Sequence, residues 1–285
     1  MFSLSNLIDC HTHTRFSVDS DADIRAMIDR AIQLGLKAYA VTDHCECNRW
    51  FSEEHYKDIE VYKYFDFGKD FENSVSAITS LKKEYEGKIN LICGSELGQA
   101  EQEPEIAQKV VDDPRVDFII GSMHQLPDEE DFALMDYSHR TTDEIYDLLD
   151  RYFKEIYKLC KWGKFDILGH LTYTLRYIEG DYGFDIDVSR FDDVIAESLR
   201  LVAQNGKGIE INTSGLRQKY GRTFPELKYV KLFKDLGGEI LSLGSDAHFV
   251  EHLGGGIAQG AQIAFDAGFT QIAYFKNHKP VFIHL

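Results

Sequence analysis

The sequence predicts an α/β chain whose mostly parallel sheet is closed or nearly closed into a barrel. Three observations predict it. Seven short apolar runs recur along the 285 residues. Polar residues follow each run, and between the runs lie stretches with apolar side chains at helical spacing. Almost every run ends in a histidine or a carboxylate. Alternating strands and helices imply parallel pairing, because a parallel connection needs a long crossover. Seven such units fit a barrel better than an open sheet.

The predicted strands are 6–9, 37–42, 89–94, 116–121, 165–168, 208–212 and 239–243. Ile24, Met27, Ile28, Ala31 and Ile32 form one helical stripe, which Gly35 ends. A second helix is expected over 143–161, with Ile145, Leu148, Leu149, Tyr152, Ile156 and Leu159 on one face. Segments 188–204 and 227–236 read similarly, and 271–285 reads as extended and able to add a strand. Two segments break the rhythm. Residues 45–71 are aromatic, with Trp50, Phe51, Tyr56, Tyr62, Tyr64, Phe65 and Phe67, and residues 125–142 are acidic and polar. Long loops often serve as lids or pocket walls, although packing under a surface loop is the commoner fate of such aromatics. No repeat, low-complexity stretch or linker divides the chain, so one domain over 1–285 is expected.

The formal charge of −17 argues against nucleic acid as a partner, because phosphate backbones need a basic surface. It leaves room for one small anion at a local cationic site. No basic start followed by an apolar stretch is seen, and no run of about 18 apolar residues suggests a membrane span. The five cysteines, Cys10, Cys45, Cys47, Cys93 and Cys160, form no CxxC pair. A reducing cytoplasm is the expected home. Oligomeric state is left open.

The strand ends carry the chemistry. The first ends in Asp9-Cys10-His11-Thr12-His13 and the second in Thr42-Asp43-His44. Gly94-Ser95-Glu96, Gly121-Ser122-Met123-His124 and Gly169-His170 close the next three, and Gly244-Ser245-Asp246-Ala247-His248 closes the seventh. Barrel active sites form at the C-terminal strand ends, so these residues are expected to converge. Residues i and i+2 of a strand share a side, so His11 and His13 can grip one ion together. Imidazole with carboxylate suits zinc, manganese or iron. The set exceeds what one ion needs and implies two or three, with Glu96 bridging. Any one of these histidines alone would read as structural, whereas six strand ends in one register point to a shared metal site. His55, His139, His252, His278 and His284 fall outside that register and read as structural.

Taken together, DCHTHTRFSVDS, TDHC, GSELGQ, IIGSMH, ILGHL, EINTSGLR and SLGSDAH resemble the PHP (polymerase and histidinol phosphatase) family over nearly the whole chain. Within it the chain is most similar to the monofunctional histidinol-phosphate phosphatases. The resemblance implies a distorted (β/α)7 TIM-like barrel and a trinuclear metal site. One ion would take His11, His13, Glu96 and Asp246, and a second would share Glu96 and add His124 and His170. The third would take Asp19, His44 and His248. Without the resemblance, Asp19 would read as a helix N-cap. The resemblance also places Arg176 and Arg217 at the phosphate, where a guanidinium fork can donate two hydrogen bonds. Arg15 is a weaker candidate for the same task. The chain departs from the family at Phe249-Val250-Glu251-His252 and at Gln125, next to an unusually acidic stretch. That acidic rim would favour a cationic substrate.

The implied activity is metal-dependent hydrolysis of L-histidinol phosphate to L-histidinol and phosphate, a step of histidine biosynthesis. Direct attack by water is expected, since no GxSxG nucleophile is present. His248 and Asp19 are candidates for protonating the leaving group. Three alternatives stand beside this reading. One is a related phosphoesterase acting on a nucleotide or another small phosphate ester. Another is an amidohydrolase, for which no strand-end lysine is well placed on the fourth strand. The third is a metal-binding protein without catalysis.

Overall fold

Seven staves form the barrel, and each grows from one of the seven apolar runs. The computed structural model describes residues 2–49, 66–127 and 129–285. Its strands are β1 (Ile8–Asp9), β2 (Ala38–Val41), β3 (His44–Glu46), β4 (Asn90–Gly98), β5 (Phe118–Ser122), β6 (Ile167–Leu168), β7 (Gly208–Asn212) and β8 (Ile240–Gly244). Pairing is parallel in the order β1-β2-β4-β5-β6-β7-β8, and β3 continues the path of β2 along the upper half of β4. The barrel closes between β1 and β8. There the Cys10 amide donates to the Leu243 carbonyl at 2.9 Å, the Asp246 amide to His11 at 2.7 Å and the His13 amide to Ala247 at 2.9 Å. The two-residue strands β1 and β6 make the barrel irregular.

Among the described residues, seven α-helices pack around the sheet: α1 (Ile24–Leu34), α2 (Phe67–Glu84), α3 (Pro104–Val111), α4 (Thr142–Trp162), α5 (Asp192–Gln204), α6 (Leu227–Asp235) and α7 (Ile257–Asp266). Local chemistry sets their ends. The Asp23 side chain accepts from the Arg25 and Ala26 amides, and Gly35 ends α1 with φ 74°. Thr141 and Glu144 form a capping box at the start of α4, and Gly163 ends it with φ 63°. The predicted stripes of α1 and α4 face the core: Met27, Ile28 and Ala31 are buried, as are Ile145, Leu148, Leu149 and Ile156. No helix among the described residues is long and apolar enough to cross a membrane.

Several boundaries differ from expectation. The third run continues to Gly98, so Glu96 lies within a strand rather than past its end. Segment 188–204 opens with a 3-10 turn over Val188–Phe191 before α5 begins. The stretch 271–285 does not join the barrel. It forms an antiparallel hairpin of β9 (Gln271–Lys276) and β10 (Lys279–His284) in its own sheet. Segment 45–71 is not one loop, since β3 occupies its start and α2 its end. Phe67 and Phe71 are buried, and Trp50, Phe51, Tyr56, Tyr62, Tyr64 and Phe65 lie outside the described residues, as does His55.

Candidate metal centre

Six staves deliver histidines and carboxylates to one place at the top of the barrel. Glu96 stands at its middle, opposite His44 in the β3–β4 register. One carboxylate oxygen, Oε1, lies 2.7 Å from His170 Nε2 and 3.1 Å from His124 Nε2. The other, Oε2, lies 2.9 Å from His44 Nδ1, 3.2 Å from His11 Nε2 and 3.5 Å from His13 Nε2. His11, His13 and Asp246 offer ligand atoms within 4.8 Å of one another, as do His11, Glu96 and His170. A third such group joins His13, Asp19, His44 and His248. There Asp19 Oδ2 lies 3.0 Å from His248 Nε2, and Oδ1 lies 3.6 Å from His44 Nε2. All nine residues expected as ligands are thus brought together.

Their chemistry fits divalent metal ions. His11 Nε2, His13 Nε2, His44 Nδ1, His248 Nε2 and Glu96 Oε2 are buried atoms without a hydrogen-bond partner. Such orphans are costly, and their convergence on one point is what a cation would relieve. Burial opposes ionisation of Glu96, but His11, His124 and His44 outweigh it and hold the carboxyl well below its usual range. Asp246 is likewise buried yet held well below, through His13 and Arg176. Burial, helped by His248 and His44, drives His13 down to about 3, and burial also lowers His170. Anionic carboxylates beside neutral imidazoles are the ligand form of both groups. His11, His44 and His124 are pulled the other way. Their burial is outweighed by neighbouring carboxylates, and His124 rises to about 10.

Two buried aspartates hold the ligand loops. Asp43 accepts from the Thr14 amide at 2.6 Å, from Ser17 at 2.9 Å and from Ser74 at 2.6 Å, which fixes the loop leading to Asp19. Asp9 accepts from the Ser245 amide at 2.8 Å, from the Ser245 hydroxyl at 2.6 Å and from the Gly254 amide at 2.9 Å. That fixes the loop of Asp246, whose φ of 53° is unusual for a non-glycine residue.

The arginines separate. Arg176 opens a π-helical turn, Arg176–Asp181, and donates to Asp246 Oδ2 at 2.8 Å and to Ser214 Oγ at 2.7 Å. Its guanidinium lies over Tyr173, and its buried Nε has no partner. Arg217 is turned elsewhere. It binds the carbonyls of Ser245 at 2.7 Å, Asp246 at 3.3 Å and Gly255 at 3.2 Å, and it is not among the residues lining the cavity. In this structure it ties down the Asp246 loop. Arg15 pairs with Asp23 at the start of α1, also outside the lining.

The cavity above the cluster measures about 190 Å³. Beyond the ligand set and Arg176, its wall is made by Val18, Phe67, Ala133, Leu134, Tyr173, Tyr177 and two carboxylates, Glu46 and Asp131. The acidic segment therefore does border the site. Asp131 is placed by a turn in which Phe132 donates to the His124 carbonyl at 3.0 Å.

Two carboxylates that contact the cluster escaped the sequence reading. Glu46 Oε1 lies 2.9 Å from His124 Nδ1, and Glu210 Oε1 lies 2.7 Å from His11 Nδ1. A signal for each was available. Glu46 stands two residues after His44, the spacing already used for His11 and His13. Glu210 is the one charged residue inside the apolar run Gly208–Asn212.

A parallel barrel with a histidine–carboxylate metal-ligand cluster at its C-terminal face defines a β/α-barrel metalloenzyme. The PHP domain profile matches residues 9–214, more than half of the chain, and the chain belongs to that family. Asp246 and His248 lie beyond this match and are joined to the centre by the β1–β8 seam. The chain is 30% identical over 257 residues to the probable histidinol-phosphatase of Thermotoga maritima, covering 89% of each protein. It is 26% identical over 286 aligned positions to the histidinol-phosphatase of Lactococcus lactis subsp. lactis, covering 95% of each. A crystal structure of histidinol phosphate phosphatase from Lactococcus lactis subsp. lactis, complexed with zinc, L-histidinol and phosphate, is similar with a TM-score of 0.76 at 26% identity. That match covers 97% of this chain and 99% of the other.

Proposed function

We propose that this chain hydrolyses L-histidinol phosphate to L-histidinol and inorganic phosphate, as its relatives' names state for them. One observation carries the reading. The metal-ligand cluster, Arg176, the rings of Tyr173 and Tyr177 and the carboxylate of Asp131 share a single small cavity. An anion is received on one side and a cation on the other, which matches a phosphate ester that also carries an amine. About 190 Å³ is small against the roughly 300–1,000 Å³ of pockets for drug-sized ligands. That favours a small ester over a nucleotide.

Two to three divalent ions are proposed, held at the three ligand groups around Glu96. Zinc is the first candidate, and manganese or iron would accept the same donors. When bound, such ions neutralise phosphate charge and lower the pKa of water. The chain's own residues do the rest. Arg176 donates to phosphate oxygens from a position fixed by Asp246 and Ser214. Tyr173 and Tyr177 wall the organic half of the substrate, and Asp131 faces its ammonium group. Water adds to phosphorus, the P–O bond to the alkyl group breaks, and the departing alkoxide takes a proton at the rim formed by Asp19 and His248. Arg217 acts through the Asp246 loop that it holds. The five cysteines are free and buried, which suits the reducing cytoplasm proposed as its compartment.

The test is phosphate release from L-histidinol phosphate and from a panel of other monoesters and diesters, with the metal content of the protein measured. A strong preference for L-histidinol phosphate is expected. Turnover confined to other esters would discard the substrate and keep the centre.

A further inference from the structure

The inference rests on the metal-centre reading and concerns what stands behind it. Glu210 is buried inside the barrel on β7. Its Oε1 lies 2.7 Å from His11 Nδ1, and its Oε2 accepts from the His170 amide at 2.9 Å and from Asn212 Nδ2 at 3.3 Å. Glu46 is also buried. Its Oε1 lies 2.9 Å from His124 Nδ1, and its Oε2 accepts from Gln99 Nε2 at 2.6 Å. Both oxygens of each carboxylate are therefore engaged by partners within the protein. The histidines they hold face opposite oxygens of Glu96, His11 at Oε2 and His124 at Oε1. His13, by contrast, is backed only by the neutral Ser17 hydroxyl, at 3.0 Å.

The backbone makes room for these contacts. A Cβ on Gly98 would lie 2.2 Å from Glu46 Oε2, and a Cβ on Gly244 would lie 2.2 Å from Glu210 Oε1. Two strands thus carry glycine where a buried carboxylate passes.

We propose that Glu210 and Glu46 are positioning residues of the metal centre. Each accepts the Nδ1–H of one histidine, His11 for Glu210 and His124 for Glu46, and so presents that histidine's Nε2 lone pair to the ions on either side of Glu96. A carboxylate in this position fixes both the tautomer and the ring orientation of the ligand. Glu46 also stands within ligand reach of His44 and His124. In this proposal it is a support, because it holds His124 at Nδ1 while His124 Nε2 faces Glu96.

The test is zinc affinity, measured by chelator competition on the purified full-length protein, with bound ions counted at saturation. Glu210→Ala and Glu46→Ala are expected to weaken binding on the order of 10- to 100-fold, with the ion count at saturation unchanged. Glu210→Gln and Glu46→Gln keep an acceptor for Nδ1–H and should recover most of the loss. Gly98→Ala removes no polar group but displaces Glu46, and should weaken binding in the same direction. Wild-type affinity in folded alanine variants would overturn the proposal. Loss of one whole ion in Glu46→Gln would overturn it for Glu46 by making that residue a ligand. If an alanine variant fails to fold, the glutamine and Gly98→Ala variants decide. A wild-type protein that binds no zinc, manganese or iron would instead sink the metal-centre reading itself.

Discussion

The two ends of this barrel both bury carboxylates and pair them with histidines, yet they use them differently. At the bottom, Asp117 accepts from the Cys93 amide at 3.0 Å and from the Asn277 amide at 3.2 Å, and it pairs with Lys82. Asp166 accepts from the Ile119 amide and from His278 Nδ1, both at 2.8 Å. The turn of the β9–β10 hairpin thus plugs the lower end, and the acids there have donors. At the top, five buried nitrogen and oxygen atoms of the cluster are left without one. Polar groups satisfied within the chain stabilise it. Polar groups left unsatisfied and aimed together are set for something else.

Variants should separate the two ends. The largest effect is expected at the centre of the top. Glu96→Ala or His11→Ala should lower kcat/KM on the order of a thousandfold or more, because a metal centre supplies several kcal/mol. Far-UV circular dichroism should stay unchanged, and near-normal turnover in either metal-loaded variant would break the comparison. Chelation comes next. Removing the ions should abolish phosphate release reversibly and lower the melting temperature, since ions present at 100 times their Kd contribute about 2.7 kcal/mol. A melting curve indifferent to chelator would contradict this.

Asp131→Asn should act on substrate choice rather than chemistry. KM for L-histidinol phosphate should rise about tenfold, the worth of one charge-assisted hydrogen bond, while turnover of a neutral monoester should hold. An equal loss for both substrates would remove Asp131 from recognition. The smallest effect belongs to the bottom. His278→Gln should cost about 1 kcal/mol of stability and leave kcat untouched. The hydrogen bond to Asp166 raises the His278 pKa against the opposing effect of burial. The protonated form is therefore the one the fold favours. Its contribution should be full below the ordinary imidazole range of about 6.5 and fade as pH rises through the raised folded value. The gap in melting temperature between wild type and variant should narrow over that window. A gap that widened with pH would reverse the sign of the argument.

Much of this was legible in the sequence because parallel strands buried on both faces must be apolar, and an apolar run that stops at a histidine or carboxylate marks a strand end. All seven staves and eight of the nine clustered ligands follow from that, whereas Asp19 lies in a loop and was legible only through the family resemblance. The misses share a cause. Glu96 lies inside β4 because backbone pairing with β3 and β5 continues past the apolar residues, and Ser95 and Glu96 carry no strand signal. Glu46 fell in a segment that read as one long loop. Arg217, like Arg176, follows an apolar run within a few residues, and only the geometry shows that it grips backbone carbonyls. The hairpin reads as extended, but the residues it docks against, Asp117 and Asp166, are distant in sequence and cannot be read as its partners.

The seam between β1 and β8 gives the centre a second character. His11 and His13 lie on one side of it and Asp246 and His248 on the other, and the nearby Asp9–Ser245 contact spans 236 residues of chain. A cation gripped by His11, His13 and Asp246 is a clasp between the two margins of a rolled sheet. Long loops carry the largest closure entropy, so such a clasp removes more disorder from the unfolded chain than one placed within a single βα unit. Taking the ions away would thus leave the cylinder weakest along this one line, where only a few backbone bonds hold its margins together.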